Sequence, residues 1–235
     1  EVAIDRVTTV AVPYGQPVGL VCVEQTHNFG GGAVWSLDEL SAIASVARAR
    51  EIPLHMDGAR QVNACAATGI SAAAFGAQVD SLWIDFTKGL GAPIGAVLAG
   101  TKEFLSVARR YKQLFGGSMR QAGIAAAGCL YALDHHVDRL VDDHENARIL
   151  ASGLAEIDGI HVRTRSPESN MVFFDVSGLD VNNDEFLLRL AKAHVRMSMT
   201  GKEVRAVTHL NVSRKDIETV IVAVKNIASG RDTGS

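Results

Sequence analysis

The 235-residue chain is 47% hydrophobic, which is enough apolar material for the core of one large domain or two unequal ones. Its formal charge of -3 gives no reason to expect nucleic acid or an anionic membrane as a partner. The three cysteines are odd in number and have apolar neighbours, and no basic-then-apolar leader opens the chain, so we expect reduced thiols in a cytoplasmic protein.

The first half of the chain alternates apolar runs with helical patterns. Four short apolar runs predict buried strands, at residues 18–23, 52–56, 81–84 and 94–99. Ser36 and Glu39 have the spacing of a capping box and precede a helical pattern, and a second helical segment is predicted over 59–67. This strand–helix order, with nearly continuous apolar strands, predicts an α/β layer with a mainly parallel sheet.

Helical spacing dominates from Thr101 onward. Helices are predicted at 101–113, 121–133, 137–156, 182–193 and 213–228, and strands at 171–176 and 205–210. Ser213, with Asp216 three positions later, would cap the last helix. We therefore expect a large α/β domain over residues 1–136 and a smaller α+β domain over 137–235.

An acid and a lysine each follow an apolar run. Asp57 lies within His55-Met-Asp-Gly-Ala-Arg60, and Lys88 lies within the glycine-rich stretch Thr-Lys-Gly-Leu-Gly. Ligands of open α/β sheets gather at the carboxyl ends of the strands, so both side chains can face one crevice. The pair suits a pyridoxal phosphate site, where a lysine amine joins the cofactor aldehyde and a carboxylate keeps the ring nitrogen protonated. Taken alone, Asp57 could be a turn acid and Lys88 a solvated surface lysine.

Five sequence blocks resemble the L-threonine aldolases and keep the order of that family. They are Glu24-Gln-Thr-His-Asn28 with the glycines at 30–32, and residues 55–60, 88–95, 116–123 and 205–210. The resemblance implies a pyridoxal phosphate enzyme of the aspartate aminotransferase fold type, within the β-eliminating lyase group. It implies aldol cleavage of L-threonine or related β-hydroxy-α-amino acids to glycine and an aldehyde. It also implies a homodimer or homotetramer with the active site at the interface.

The resemblance gives four residues a role at the cofactor. Lys88 would be the Schiff-base lysine, and Asp57 would bind the pyridine nitrogen. Arg60 would lie near the phenolic oxygen of the cofactor and the substrate, where its planar fork suits both. Arg120 would reach the phosphate, often across a subunit interface in this family. The alternatives are a helix-surface ion pair for Arg60 and a helix-start arginine for Arg120. By this resemblance, residues 1–136 are the remainder of a cofactor-binding domain.

Two further residues are implied at the substrate. Arg205 would hold the substrate carboxylate by a bidentate contact, and His27 would handle the β-hydroxyl as a catalytic or binding group. The alternatives are an exposed strand arginine and a satisfied structural histidine. The cysteines show no metal-ligand spacing with the histidines, so no metal site is expected.

The sequence departs from the family pattern in two places. Residues 1–17 contain neither a phosphate-binding turn nor a ring that would stack on the cofactor, although residues 7–12 are apolar. The sequence therefore resembles the C-terminal two thirds of such an enzyme, and we expect it to bind the cofactor weakly. Asp85 stands three residues before Lys88 where many relatives have serine. The alternatives are that it shifts the pKa of the lysine or that its side chain points elsewhere. Other readings are a pyridoxal phosphate lyase that works by β-elimination, a transaminase, or a non-catalytic remnant that only dimerises.

Overall fold

The computed structural model describes residues 17–231 and divides them into two compact units. The first unit comprises residues 17–27 and 34–137 of the described part. The second comprises Asn28–Ala33 and residues 138–231. Each unit has its own sheet and its own hydrophobic core.

The apolar run 7–12 lies outside the described residues, as do the residues around it in which the sequence shows no phosphate-binding turn.

The first unit contains a four-stranded sheet in the order β1-β2-β3-β4. Its strands are Val21–Glu24, Leu54–Gly58, Ser81–Asp85 and Ala96–Gly100. The pairs β1–β2 and β2–β3 are parallel, which confirms the predicted mainly parallel sheet, whereas β4 runs antiparallel to β3. Residues 86–95 join β3 to β4 without a helix, and a connection that short returns the chain beside β3 in the opposite direction.

Five helices of the described residues belong to the first unit. They are α1 (Leu37–Ala49), α2 (Gln61–Thr68), α3 (Ala72–Gly76), α4 (Lys102–Leu114) and α5 (Gly123–His135). The predicted capping box at the start of α1 is confirmed, since Ser36 Oγ accepts from Glu39 N at 3.2 Å and the Glu39 carboxylate accepts from Ser36 N at 2.9 Å. The short helix α3 was not predicted, because five residues are too few to show a helical period.

The core of the first unit lies on one face of the sheet. Val23, Met56 and Leu82 are in register on β1, β2 and β3, and all three are buried. Leu40 of α1 and Phe75 of α3, both fully buried, complete this cluster. Side chains alternate between the two faces of a strand, so the residues next to this row point to the opposite face.

The end of the first unit around β4 exposes much apolar surface. All five residues of β4 are exposed, and α4 buries none of its residues. Large apolar side chains are exposed along α4 and α5 and in the segment between them, at Val107, Leu114, Phe115, Ile124 and Leu130. This surface is larger than the scattered apolar residues that a folded protein normally shows.

The second unit contains an antiparallel sheet packed with three helices, the α+β organisation that the sequence predicts. Its strands are β5 (His161–Val162), β6 (Met171–Asp175), β7 (Ser198–Thr200) and β8 (Glu203–Val207), in the order β5-β6-β8-β7. The helices are α6 (Leu140–Ala155), α7 (Asn183–Lys192) and α8 (Arg214–Ala228). The predicted capping box of Ser213 and Asp216 is present.

Phe174 and Phe186 are central to the core of the second unit. Both are fully buried, and their rings meet edge to face with centroids 6.1 Å apart. In residues 17–231 as a whole, none of the helices has the length and apolar character needed to cross a membrane.

Candidate active site

A row of three side chains crosses the sheet of the first unit on the face opposite the core. Glu24 of β1 pairs in register with Asp57 of β2, and Asp57 pairs with Trp83 of β3. Residues paired in this way on parallel strands point to the same face of the sheet. We call Glu24, Asp57 and Trp83 the polar row. Each of the three is half-buried.

Lys88 lies over one end of the polar row. Its Nζ is 5.2 Å from the centroid of the Trp83 ring, within the range of a cation–π contact. The same Nζ donates a hydrogen bond of 2.7 Å to Asp85 Oδ2, at the end of β3. The structure therefore places Lys88 and Asp57 at the same end and on the same face of the sheet, one strand apart.

The two carboxylate oxygens of Asp57 differ: one makes a structural hydrogen bond, and the other is available as an acceptor. Its Oδ1 accepts a hydrogen bond from the backbone N of Ala59 at 3.1 Å, as expected for a turn acid. This interpretation accounts for one of the two carboxylate oxygens. Its Oδ2 makes no hydrogen bond or ion pair with any residue of the described part of the chain. A half-buried carboxylate oxygen in that state can accept from an N–H group of a ligand.

Gly58 determines how closely β2 and β3 approach beside Asp57. A Cβ at this position would lie 2.4 Å from the backbone oxygen of Trp83, closer than real Cβ atoms come to a carbonyl. The residue after the candidate acid must therefore be glycine for the two strands to keep their spacing.

His27 lies at the other end of the polar row. Its Nε2 is 3.7 Å from a carboxylate oxygen of Glu24, and its side chain is 45% exposed, so it is open to a ligand. The segment before it is held by Gln25, whose side-chain amide donates to the carbonyl of Trp35 and accepts from its N–H, both at 3.0 Å. The position of His27 is thus set by a buried anchor two residues earlier.

The glycine-rich turn after Lys88 is attached to α5. His136 Nδ1 donates to the carbonyl of Leu90 at 2.6 Å, and Cys129 Sγ donates to the carbonyl of Ile94 at 3.4 Å. Gly91 has a φ of 68°, a left-handed conformation that favours glycine. These contacts give the turn a defined path on the C-terminal side of the lysine.

Arg60 and Arg120 lie at helix starts. Arg60 is the N-cap residue of α2, is half-buried, and donates its backbone N–H to the carbonyl of Gln25 at 3.1 Å. Arg120 is exposed and lies three residues before α5. Their roles toward a phenolic oxygen and a phosphate stay predictions.

Arg205 lies in β8, between β6 and β7, and belongs to the second unit. Its Nη1 donates to Asn28 Oδ1 at 2.8 Å. Its Nε is buried and has no hydrogen-bond partner within residues 17–231. A buried N–H donor left unpaired is costly, and a carboxylate is the acceptor that best matches a guanidinium edge.

A separate cavity in the first unit does not coincide with these residues. It measures about 370 Å³ and is lined mostly by apolar atoms of α3, β3 and β4, including Ala72, Leu82 and Ala99. Neither Asp57 nor Lys88 lines it. Among residues 17–231 there is also no cluster of three or more His, Cys, Asp or Glu side chains that could hold a metal ion.

Comparison with known proteins agrees with the resemblance seen in the sequence. The family model described as beta-eliminating lyase matches residues 2–177. The low specificity L-threonine aldolase of Escherichia coli strain K12 is 37% identical over 201 residues, which cover 86% of this chain and 58% of that protein. The chain spans a little over half the length of the curated relatives that it matches.

Solved structures agree with the predicted fold type. A Listeria monocytogenes protein assigned as an L-allo-threonine aldolase has a TM-score of 0.77 and 23% identity, over 95% of this chain and 64% of that chain. The aspartate aminotransferase of Rhizobium meliloti has a TM-score of 0.66 and 16% identity, over 90% of this chain and 58% of that chain. At these identities the likeness concerns the fold alone, and it confirms the aspartate aminotransferase fold type.

Proposed function

Because this chain belongs to the beta-eliminating lyase family, we propose that it carries the reactive lysine of a pyridoxal phosphate-dependent aldolase. The proposed reaction is the cleavage of L-threonine, or of a related β-hydroxy-α-amino acid, to glycine and an aldehyde. The Escherichia coli relative is named for the threonine reaction, which supports this choice of substrate class.

One observation carries the proposal: an amine and a carboxylate with one oxygen unpaired among the described residues lie at the same end of one sheet. The Lys88 amine lies over Trp83, and Trp83 is the register partner of Asp57. Pyridoxal phosphate is an electron-withdrawing ring with an aldehyde and a ring N–H, so its site needs both an amine and a carboxylate.

The residues present fit pyridoxal phosphate by their chemistry. Asp57 Oδ2 is free to accept the ring N–H, and Lys88 supplies the primary amine that would hold the aldehyde carbon. Arg60 and Arg120 are the candidates for its phenolic oxygen and its phosphate. When bound, the cofactor supplies the electron sink that carbon–carbon bond cleavage requires.

The chain itself supplies charge and proton transfer. Asp57 Oδ2 would accept a hydrogen bond from the ring N–H and would thereby favour a protonated ring nitrogen. His27 is proposed to take the proton of the β-hydroxyl at Nδ1, while its Nε2 faces the Glu24 carboxylate at 3.7 Å. Arg205 is proposed to bind the substrate carboxylate with its Nε, which is unpaired within residues 17–231, while Asn28 holds the guanidinium through Nη1.

We propose that two or four copies assemble, and that the protein works in the cytoplasm. The exposed position of Arg120 supports a contact with a ligand held by another copy. The three cysteines, all free thiols, support a reducing compartment.

Reductive trapping tests the proposal directly. The chain is incubated with excess pyridoxal phosphate, reduced with borohydride and mapped by peptide mass spectrometry. We expect the pyridoxyl group on Lys88, no label there in Lys88→Ala, and unchanged labelling in Lys102→Ala, which removes an exposed lysine at the start of α4. A label spread evenly over exposed lysines would refute the assignment.

Product analysis separates aldol cleavage from the β-elimination named in the family description. Threonine cleavage yields glycine and acetaldehyde in equal amounts. β-Elimination from a serine- or cysteine-like substrate yields pyruvate and ammonia, and detection of these alone would replace the aldolase assignment.

A further inference from the structure

Asp85 is the residue beside Lys88 that the function proposed above does not use. Its two carboxylate oxygens have different partners. Oδ1 accepts from the backbone N of Thr87 at 2.8 Å and from the Thr87 hydroxyl at 2.7 Å. Oδ2 accepts from Lys88 Nζ at 2.7 Å. The hydrogen bonds from Thr87 thus hold the Asp85 carboxylate in place, and this carboxylate holds the Lys88 amine.

The ion pair is shielded from water on the acid side. The Asp85 side chain is 10% exposed and the Lys88 side chain is 35% exposed. Burial raises the pKa of Asp85, but the hydrogen bonds from Lys88 and Thr87 together lower it by more, so that the pKa lies below its usual value. Asp85 is therefore ionised at neutral pH, and the pair is a carboxylate bound to an ammonium.

Trp83 supports the same charge state from the other side. The ring lies 5.2 Å from Lys88 Nζ, and aromatic faces attract cations. Further charged or titratable groups at this end of the sheet are Asp57 and Glu24 on the neighbouring strands, His27 beside Glu24, and Arg60, two residues after the end of β2. On the side of α5, His136 is bound to the carbonyl of Leu90.

An ammonium group has no lone pair and does not attack a carbonyl, so a lysine nucleophile must first lose a proton. We propose that Asp85 is a positioning residue that holds the Lys88 ammonium at the end of β3 and thereby slows the reaction of this lysine with aldehydes. Release requires one proton to leave Nζ: an N–H bond breaks, the electron pair stays on nitrogen, and the proton passes to Asp85 Oδ2 or to water. This inference deepens the proposed function, since it assumes that Lys88 is the reacting amine.

The second unit offers a matched control. Asp175 also ends a strand, and its Oδ1 accepts from the backbone N of Ser177, two residues later, at 2.7 Å. Three positions after Asp175 the chain has Gly178 where Asp85 is followed by Lys88. Asp175→Asn therefore changes the same kind of turn without touching an ion pair.

Trace acetylation of the chain without cofactor tests the inference. Labelling of the Lys88 peptide with acetic anhydride at neutral pH is followed by mass spectrometry, with Lys102 and Lys225 as internal standards. In Asp85→Asn we expect Lys88 labelling relative to these standards to rise by about tenfold or more, since the variant removes the carboxylate that binds the ammonium in direct contact. In Asp175→Asn we expect no change. An unchanged labelling rate in Asp85→Asn would overturn the inference.

Lys88→Met provides a second measurement if Asp85→Asn fails to fold. The coupling between two groups is reciprocal, so removal of the ammonium must raise the pKa of Asp85. Carboxyl-carbon NMR of selectively labelled protein would report this rise, and an unchanged Asp85 titration would contradict the inference. Neither measurement uses the cofactor, so a failure of borohydride trapping tests the proposed function separately.

Discussion

Asp57 and Trp83 are register partners on β2 and β3, and Trp83 is the residue whose ring the Lys88 ammonium covers. Asp57 and Lys88, which are 31 positions apart in sequence, are therefore connected through Trp83. Because this connection is made by backbone pairing, any change in the spacing of the two strands moves the candidate acid and the candidate amine relative to each other.

Asp57→Asn should lower aldol cleavage by about 100-fold or more, the magnitude typical of losing one preorganised charged group at a reaction centre. The amide can still accept the bond from Ala59 N, so the turn should survive. Steady-state kinetics with threonine, alongside borohydride trapping on Lys88, gives the measurement. Asp175→Asn serves as the control and should keep full activity. Retained activity in Asp57→Asn would remove this residue from the site.

Gly58→Ala should destabilise the first unit by about 1–3 kcal/mol, because its Cβ would meet the Trp83 backbone oxygen at 2.4 Å and overpack the two strands. Urea unfolding followed by tryptophan fluorescence reports on this unit, which contains both Trp35 and Trp83. Gly123→Ala is the control: nothing lies within 4 Å of its Cβ, and it begins α5. Equal stability of the two variants would show that the strands adjust freely.

Arg205→Lys should raise KM for the amino acid substrate by about tenfold or more with a smaller change in kcat. Lysine keeps the charge but loses the planar fork that pairs with a carboxylate, and it loses the buried Nε, which has no partner among the residues that the structure describes. The control is Arg189→Lys, an arginine of α7 paired with Glu185. An unchanged KM would assign the carboxylate contact to another residue.

His144 should make folding stability depend on pH. It is buried in α6, and burial together with the nearby Arg148 lowers its pKa from 6.5 to about 4. Above pH 6.5 the ring is neutral in both states, and its contribution is fully present. As the pH falls from 6.5 to 4, the unfolded chain binds a proton that the folded chain does not, so the free energy of unfolding decreases by at most about 3 kcal/mol.

Denaturant titrations at pH 7 and pH 4.5 measure this decrease. His144→Gln should lose a large part of it, whereas His161→Gln, which removes an exposed histidine of β5, should keep it. The same pH dependence in all three proteins would mean that other groups cause the decrease.

Local chemistry made much of the fold predictable. The capping boxes at Ser36 and Ser213 depend on residues three positions apart, and the sequence shows them without knowledge of the fold. The long helices and the three parallel strands also follow from apolar periodicity. The short elements β5, β7 and α3 do not, since two to five residues carry no period.

Contacts between distant strands explain what the sequence could not show. Glu24 and Trp83 join Asp57 only through strand register, which depends on packing and on the length of each connection. Asn28 binds Arg205 across 177 positions, and although it lies in a block that resembles the family, its residue type alone indicates no partner. Asp85 was visible as a departure from the family, but its direction toward Lys88 depends on the turn at Thr87.

The exposed edge strand β4 determines how readily this chain associates with other molecules in solution. In the described part of the chain it is paired on one side only, and water reaches both of its faces. Such a strand can recruit a further strand from another molecule, and the apolar side chains along α4 and α5 would strengthen that adhesion. We therefore expect the chain to aggregate at high concentration before it loses its fold. Turbidity, or binding by an added chaperone, would report this aggregation.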